Sequence, residues 1–316
     1  RPAVQVPTFM VTRALTKLST TALRRRHFLS MAIEMNQNEN DTLEMIESVV
    51  SFITQFESCA VAMSAGVDSA VVAKAAFLAL GDSAIAVTAE SPSLASGELR
   101  QAQEVAALIG IEHQTIQTQE FSNPNYVKNQ GDRCYFCKTE LYQQMQRLVT
   151  QVNRCVLLNG TNVDDLGDYR PGLEAASENQ VRSPLVECGI DKAGVRRLAQ
   201  HWGLPVWDKP ASPCLSSRVA YGEEVTPRRL QMIDQAEQFL RMQGVTPVRV
   251  RYHGGDLARI EAPLEFLPKL TSVQERSAIE EKFREIGFRF TTVDLTGFKS
   301  GSLNQLLQID LSESKA

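Results

Sequence analysis

An excess of either charge sign is lacking in this sequence: 33 Lys and Arg against 37 Asp and Glu leave a formal net charge of only −4 over 316 residues. A broadly basic surface of the kind that grips a nucleic-acid backbone is therefore not indicated. No apolar run approaches the ~20 residues that a membrane-spanning helix needs. The six cysteines include one closely spaced pair, Cys134 and Cys137, which argues for metal, persulfide or redox chemistry in a reducing compartment, here the cytoplasm, rather than a disulfide framework. A second pair, which a four-ligand zinc site would want, is missing. So is the Gly-x-x-x-x-Gly-Lys-Ser/Thr pattern of kinase- and GTPase-type phosphate loops. Acidic residues are absent before Glu34, while Arg24-Arg25-Arg26 and several Ser and Thr fall in that stretch. That composition suits an organellar transit peptide, and equally translated sequence upstream of a start at Met31 or Met35. Residues 1–34 are set aside as a leader, and the rest is long enough for two domains.

The stretch that organises the remainder is Val61-Ala62-Met63-Ser64-Ala65-Gly66-Val67-Asp68-Ser69-Ala70. The short apolar run Cys59 to Met63 reads as a buried parallel strand, and Val67 to Leu80 as a helix. A loop between a strand and a helix N-terminus presents backbone N–H groups and the positive end of the helix dipole, so it attracts phosphate. Ser64 and Ser69 add hydroxyls, and a carboxylate at Asp68 is best used to hold Mg²⁺ against the phosphates. The loop resembles the Ser-Gly-Gly-x-Asp-Ser phosphate loop of ATP pyrophosphatases. Ala65 stands where that pattern carries glycine; a positive φ there would cost about 1 kcal/mol.

Along the chain, Asp41 to Ser58 has helical spacing with Asp41 as N-cap. Ser83 to Ser91 is a second strand, ending at Thr88 and Ala89, where the pyrophosphatase resemblance puts the adenine. Ser96 caps a helix over 97–109, and Glu112 to Thr118 is a third strand. A polar loop through Asn123, Pro124 and Asn129 leads to Arg133-Cys134-Tyr135-Phe136-Cys137-Lys138, which opens a helix to Val149. Two thiols near a helix N-terminus should have lowered pKa values. Arg154 to Asn159 is a fourth strand, and Gly160-Thr161-Asn162 opens a site-like loop at its end that continues to Asp168-Tyr169-Arg170-Pro171-Gly172. Asp191 to Gly203 is a capped helix. The alternation implies a doubly wound parallel sheet over 41–225. Cys214, in a Pro-punctuated loop flanked by Lys209 and Arg218, has a setting that favours thiolate. Thr226-Pro227 starts a helix, and a small α+β domain follows over 226–301, with a tail from 302. In it Arg249 and Arg251 share one strand face and can grip a phosphate.

Taken together and in this order, the nucleotide loop, the Cys134–Lys138 motif, Gly160-Thr161-Asn162 with Asp168–Gly172, Cys214-Leu215-Ser216-Ser217-Arg218 and Arg249-Val250-Arg251 resemble the LarE family over about Leu43 to Gly301. That family makes the nickel-pincer nucleotide cofactor of lactate racemase. The resemblance implies that ATP adenylylates a carboxylate of pyridinium-3,5-biscarboxylic acid mononucleotide, pyrophosphate leaves, and sulfur replaces AMP. It implies ATP and Mg²⁺ on Ser64, Gly66, Val67, Asp68 and Ser69, with Thr88, Ala89 and Gly160 beside the nucleotide. Cys214 takes the place of the sulfur-donating cysteine, Ser217 and Arg218 line its pocket, and Arg249 and Arg251 hold the mononucleotide phosphate. Some members carry three cysteines holding a [4Fe–4S] cluster, and Cys134, Cys137 and Cys214 look like that triplet. The resemblance also suggests a homo-oligomer. Two other classes compete: a tRNA-thiolating enzyme, which should show a basic RNA-binding surface, and a non-catalytic nucleotide or Fe–S binding protein. An amide-forming NAD or GMP synthetase would have no use for three cysteines.

Overall fold

A computed structural model describes residues 38–150, 155–167 and 171–299. A helix over 38–54 (α1) precedes β1 (Ser58–Ala62). Then come α2 (Val67–Leu80), β2 (Ala84–Glu90), α3 (Glu98–Ile109) and β3 (Glu112–Gln117). The short α4 (Pro124–Lys128) and long α5 (Arg133–Val149) lead to β4 (Cys155–Leu158), which α6 (Pro171–Glu178), α7 (Pro184–Glu187) and α8 (Lys192–His201) follow. The C-terminal region holds α9 (Pro227–Met242), β5 (Arg249–His253), β6 (Leu257–Glu261), α10 (Leu267–Leu270), α11 (Val273–Ile286) and β7 (Phe290–Val293).

The first four strands form one parallel sheet in the order β3-β2-β1-β4. Successive residues of a strand face opposite sides, and β1 shows it: Cys59 and Val61 pack into one core with Val49, Val71 and Leu198, while Ala60 joins Leu141, Met145 and Leu157 on the other. Helices α1, α2, α3 and α8 thus cover one face and α5 with α6 the other, the doubly wound α/β arrangement. Chain order runs outward from β1 to β3 and then returns to the opposite side of β1 at β4, so the sheet's direction reverses between the carboxyl ends of β1 and β4. Open α/β sheets bind ligands at such a reversal.

A second sheet, β5-β6-β7, pairs β5 with β6 antiparallel and β6 with β7 parallel. Its core of Ile233, Leu240, Val250, Ile260 and Phe283 also takes in Tyr126, Leu215 and Val219 from the first region. Among the described residues no helix is long and apolar enough to cross a membrane.

Most strands lie within a residue or two of their expected ends. Asp41 is no cap, since α1 already runs through it. Ser96 does not cap α3: Gly97 in the left-handed region is the N-cap, and the Ser96 hydroxyl donates to Asp234 Oδ2 at 2.6 Å. The polar loop at Asn123 holds α4, with Asn123 as its cap, and Pro171-Gly172 opens α6. Asp191 and Thr226 cap α8 and α9, accepting from the N–H groups of Gly194 and Arg229. Arg154, Asp168, Tyr169, Arg170 and the segments 1–37 and 300–316 fall outside the described residues.

Candidate active site

The loop between β1 and α2 turns at Ala65, whose φ of 56° puts a buried alanine in the left-handed region. Gly66 then serves as N-cap with no side chain closing it. The first-turn N–H groups of α2 therefore point out of the sheet with no intrahelical acceptor, which with the dipole makes an anion site. Val67 buries its side chain in the first core, leaving its N–H to the site. Ser69 braces the loop: its hydroxyl donates to Gly66 O at 3.1 Å and accepts from Ser64 N–H at 3.1 Å. Thr88 donates to Met63 O at 2.8 Å and meets His113 Nε2 at 2.8 Å, tying β2 to the loop, with Ala89 half-buried next to it. Burial lowers the His113 pKa.

Gly160, at the end of β4, packs directly on the start of α2. A Cβ there would lie 2.7 Å from Ser69 N and 2.9 Å from Asp68 C, so only glycine fits. The close approach brings Asn162 Nδ2 to 3.0 Å from Asp68 Oδ1. On the other oxygen, Lys192 Nζ pairs with Asp68 Oδ2 at 2.5 Å, and Lys192 N–H donates to Asp164 Oδ2. The carboxylate of Asp68 is a hard donor at a phosphate-attracting helix end, which fits Mg²⁺. Lys192 was not among the expected site residues. It opens a helix far along the chain, and only the fold brings its ammonium to Asp68.

The thiols form a second wall. Cys134 stands on the first turn of α5 and Cys137 at the start of its second, and Cys214 precedes the 3-10 turn Leu215–Arg218. Cys134 and Cys214 are exposed. Burial, then the neighbouring Cys214, pushes the Cys137 thiol up to about 12, against the lowered pKa expected from the helix terminus: desolvation outweighs the dipole. The cations flanking Cys214 are engaged elsewhere. Lys209 Nζ bonds Ala65 O at 3.3 Å, Glu98 Oε2 at 2.8 Å and Gln101 Oε1 at 2.6 Å. Arg218 forms a buried pair with Glu237 at 3.0 Å and donates to the carbonyls of Pro213 and Cys214. Among the described residues no three His, Cys, Asp or Glu side chains are set to hold a metal ion.

Behind Cys214 lie three guanidinium groups. Arg251 is committed to Glu261 at 2.8 Å and to Ser217 O at 2.9 Å, and Ser217 donates to Cys214 O at 2.7 Å. Arg249 touches Ala211 O at 3.4 Å and stacks 4.6 Å over the Phe298 ring, with no carboxylate partner among the described residues. Burial, then Arg251 and Arg218, lowers its pKa, the signature of a cation short of negative charge. Of the pair on β5, Arg249, buried at 4% exposure, is the one whose charge is not met by a carboxylate among the described residues, and Arg251 holds the Ser217 carbonyl of the turn.

No established family profile matches the chain. It is 46% identical over 262 residues to an uncharacterized protein of Synechocystis sp., covering 83% of this chain and 97% of the relative. It is 29% identical over 194 residues to an uncharacterized protein of Methanocaldococcus jannaschii, 61% of this chain and 75% of that one. Against the pyridinium-3,5-bisthiocarboxylic acid mononucleotide synthase of Lactiplantibacillus plantarum the identity is 35% over 261 residues, spanning 82% of this chain and 94% of the synthase. On that identity and coverage the chain belongs to the LarE family of pyridinium-3,5-bisthiocarboxylic acid mononucleotide synthases.

Proposed function

We propose that this chain is an ATP-dependent sulfur transferase that adenylylates a carboxylate of pyridinium-3,5-biscarboxylic acid mononucleotide and replaces AMP by sulfur. It would thereby serve the nickel-pincer cofactor of lactate racemase. The observation that carries the reading is Lys209. Its ammonium binds the Ala65 carbonyl in the phosphate loop, and the segment it belongs to ends at the exposed thiol of Cys214. One stretch of chain thus runs from a phosphate-binding helix terminus to a nucleophile.

In this reading the N–H groups of Gly66, Val67, Asp68 and Ser69, with Ser64, hold the ATP phosphates, and Thr88, Ala89 and Gly160 flank the nucleotide. Magnesium, held by Asp68, supplies positive charge against the phosphates. Lys192 gives up Asp68 to that ion. Arg249 receives the mononucleotide phosphate, and Arg218, Ser217 and Arg251 hold the Cys214 turn against it.

The substrate carboxylate attacks the α-phosphorus and pyrophosphate leaves. The Cys214 sulfur then attacks the acyl carbon, a C–S bond forms, and AMP departs with the C–O electron pair. Removal of the Cα proton of residue 214 breaks its Cβ–S bond. The sulfur stays with the product as a thiocarboxylate and dehydroalanine remains in the chain. Adenylylation is needed because a carboxylate oxygen is a poor leaving group and AMP a good one.

The purified chain, given ATP, Mg²⁺ and the dicarboxylate mononucleotide, should release pyrophosphate and lose the elements of H₂S at residue 214 by intact-mass and peptide mass spectrometry. Absence of pyrophosphate would overturn the reading. Product formation at unchanged protein mass, by anaerobically purified protein containing iron, would transfer the donor role to a cluster on Cys134, Cys137 and Cys214.

A further inference from the structure

Glu120, in the 3-10 turn Glu120–Ser122, is a buried carboxylate to which the mechanism above assigns nothing. It is 2% exposed, and among the described residues no cation is bonded to it. Its Oε1 accepts from Ser91 Oγ at 2.6 Å and Ser93 Oγ at 3.0 Å, while its Oε2 has no hydrogen-bond partner among the described residues. Arg133 reaches this cluster only at the Ser216 carbonyl, 2.8 Å away, and otherwise donates to Asn129 Oδ1. A carboxylate buried without a paired cation is strongly unfavourable, so its position calls for an explanation beyond packing.

Ser93, Tyr126 and Ser216, all buried, close a ring of hydroxyls beside it. Ser93 Oγ lies 2.7 Å from Tyr126 Oη, Tyr126 Oη lies 2.7 Å from Ser216 Oγ, and Ser216 Oγ donates to Ser93 Oγ at 3.1 Å. Each hydroxyl has one proton to give, and burial raises the Tyr126 phenol above its usual range, so its oxygen keeps its own. The Ser91 and Ser93 protons go to the carboxylate, which returns none, and the Ser216 proton goes to Ser93. Only the Tyr126 proton is left for its two contacts at 2.7 Å. In one of them, two oxygens face each other lone pair to lone pair. An unmatched carboxylate and a ring one proton short both ask for a positive charge at this place.

We propose that Glu120 and the hydroxyls of Ser93, Tyr126 and Ser216 form a binding site for a monovalent alkali cation, sodium or potassium. Every ligand is a hard oxygen, a set that suits alkali and alkaline-earth ions and selects against soft metals. The single carboxylate matches a single positive charge, and among the described residues no three His, Cys, Asp or Glu gather to hold a more highly charged ion. Glu120 Oε2 supplies the charged ligand, and the ring supplies the lone pairs that its missing proton leaves unused. The ion ties together four segments: the loop after β2, the turn at Glu120, α4 through Tyr126, and the 3-10 turn that carries Ser216. The N–H of Leu215 in that last turn donates to Ser93 O at 2.9 Å, so backbone and ion hold the same two segments. Tyr126 and Leu215 both lie in the core of the C-terminal sheet. The cation therefore sits where the first region meets the second, and its role is structural and independent of the sulfur-transfer reading.

Urea unfolding of the full chain in NaCl, KCl and choline chloride at equal ionic strength tests the site, because an ion that binds only the folded chain raises stability by mass action. The wild-type midpoint should rise with sodium or potassium concentration and level off at saturation, while choline, too bulky for a buried hydroxyl ring, gives no rise. Glu120→Gln keeps an oxygen for the two serine hydroxyls and removes the charge. E120Q should unfold at one midpoint in all three salts, no lower than wild type in choline. A midpoint below that in every salt would mean a packing role and overturn the proposal. So would a cation response that E120Q retains, which would belong to another site. Equal wild-type midpoints in the three salts would overturn it as well, leaving a proton on Glu120 as what closes the ring. Should E120Q fail to fold, wild-type crystals soaked in thallous acetate decide. An anomalous Tl⁺ peak bounded by Glu120, Ser93 and Ser216 is expected, and its absence there would overturn the site.

Discussion

Ala65 holds a conformation that L residues avoid, at about 1–2 kcal/mol. Replacing it by glycine would remove that strain. It would also free the unfolded chain, at about 0.4–1 kcal/mol, and forfeit a buried methyl at about 0.8 kcal/mol. These effects nearly cancel, so A65G should shift the urea midpoint by less than about 1 kcal/mol equivalent. A65V adds a β-branched side chain at the same positive φ in a site with no exposed surface; it should cost about 2 kcal/mol or more and weaken ATP binding measured by calorimetry. Cys59 tests the opposite kind of cost. Burial first, and Cys155 second, pushes its thiol from an ordinary 9.0 up to about 12. The folded chain then holds this proton more tightly than the unfolded chain. Its contribution is complete below pH 9 and declines as pH rises toward about 12, by up to about 1.4 kcal/mol per pH unit. Urea midpoints measured on either side of that onset should show the fall, and Cys59→Ala should make it shallower.

Helix α9 shows how one buried side chain can lock an element to two others. Glu237 has no exposed surface and accepts from Arg218 Nε at 3.0 Å, Arg241 Nη2 at 2.6 Å and the Val250 N–H at 3.1 Å. It joins the Cys214 turn, its own helix and β5. Removing it leaves Arg218 buried with its charge uncompensated, so Glu237→Ala should cost about 3–5 kcal/mol in denaturant unfolding. The Lys192–Asp68 pair is a contrast: both side chains are about a quarter to a third exposed, and pairs of that kind contribute about 0–1 kcal/mol. The elements themselves were largely legible, because buried strands bounded by Gly, Ser and Asp, and helices opened by Asp191 or Thr226-Pro227, carry their signals locally. What failed was non-local. Ser96 looked like a cap until Asp234, 138 residues away, claimed its hydroxyl. Pro171 is a fair helix start, yet among so many polar neighbours it read as loop. In the site, Ser64–Ser69, Gly160 and Cys214 were visible as motifs, whereas Lys192 matters only through Asp68, a partner that folding supplies. The low thiol pKa expected at Cys137 failed because local sequence shows the helix terminus but not the depth of burial.

At the scale of the molecule, two cores share one segment. Leu204 and Val206 belong to the core under the parallel sheet, Leu215 and Val219 to the core of the C-terminal sheet, and Val219 makes a parallel bridge to Tyr252 of β5. Between them Lys209 reaches back to Ala65, Glu98 and Gln101. This geometry makes Lys209 the link that sets where the Cys214 turn stands relative to the phosphate loop. Lys209→Met keeps the aliphatic stem and deletes the charge and its three bonds. The Glu98 partner is largely buried, so stability should fall by about 1–2 kcal/mol. On the proposed function the loss should be uneven: pyrophosphate release, assigned there to the α2 terminus, should stay within about threefold of wild type. Sulfur transfer needs the thiol placed to a fraction of an ångström, and a shift of about 1 Å can cost 10²-fold, so thiocarboxylate formation should drop at least about tenfold. Quenched single-turnover assays that follow both products in one sample decide it. A K209M protein that transfers sulfur as fast as it releases pyrophosphate would mean that the two cores hold the turn in register without this lysine.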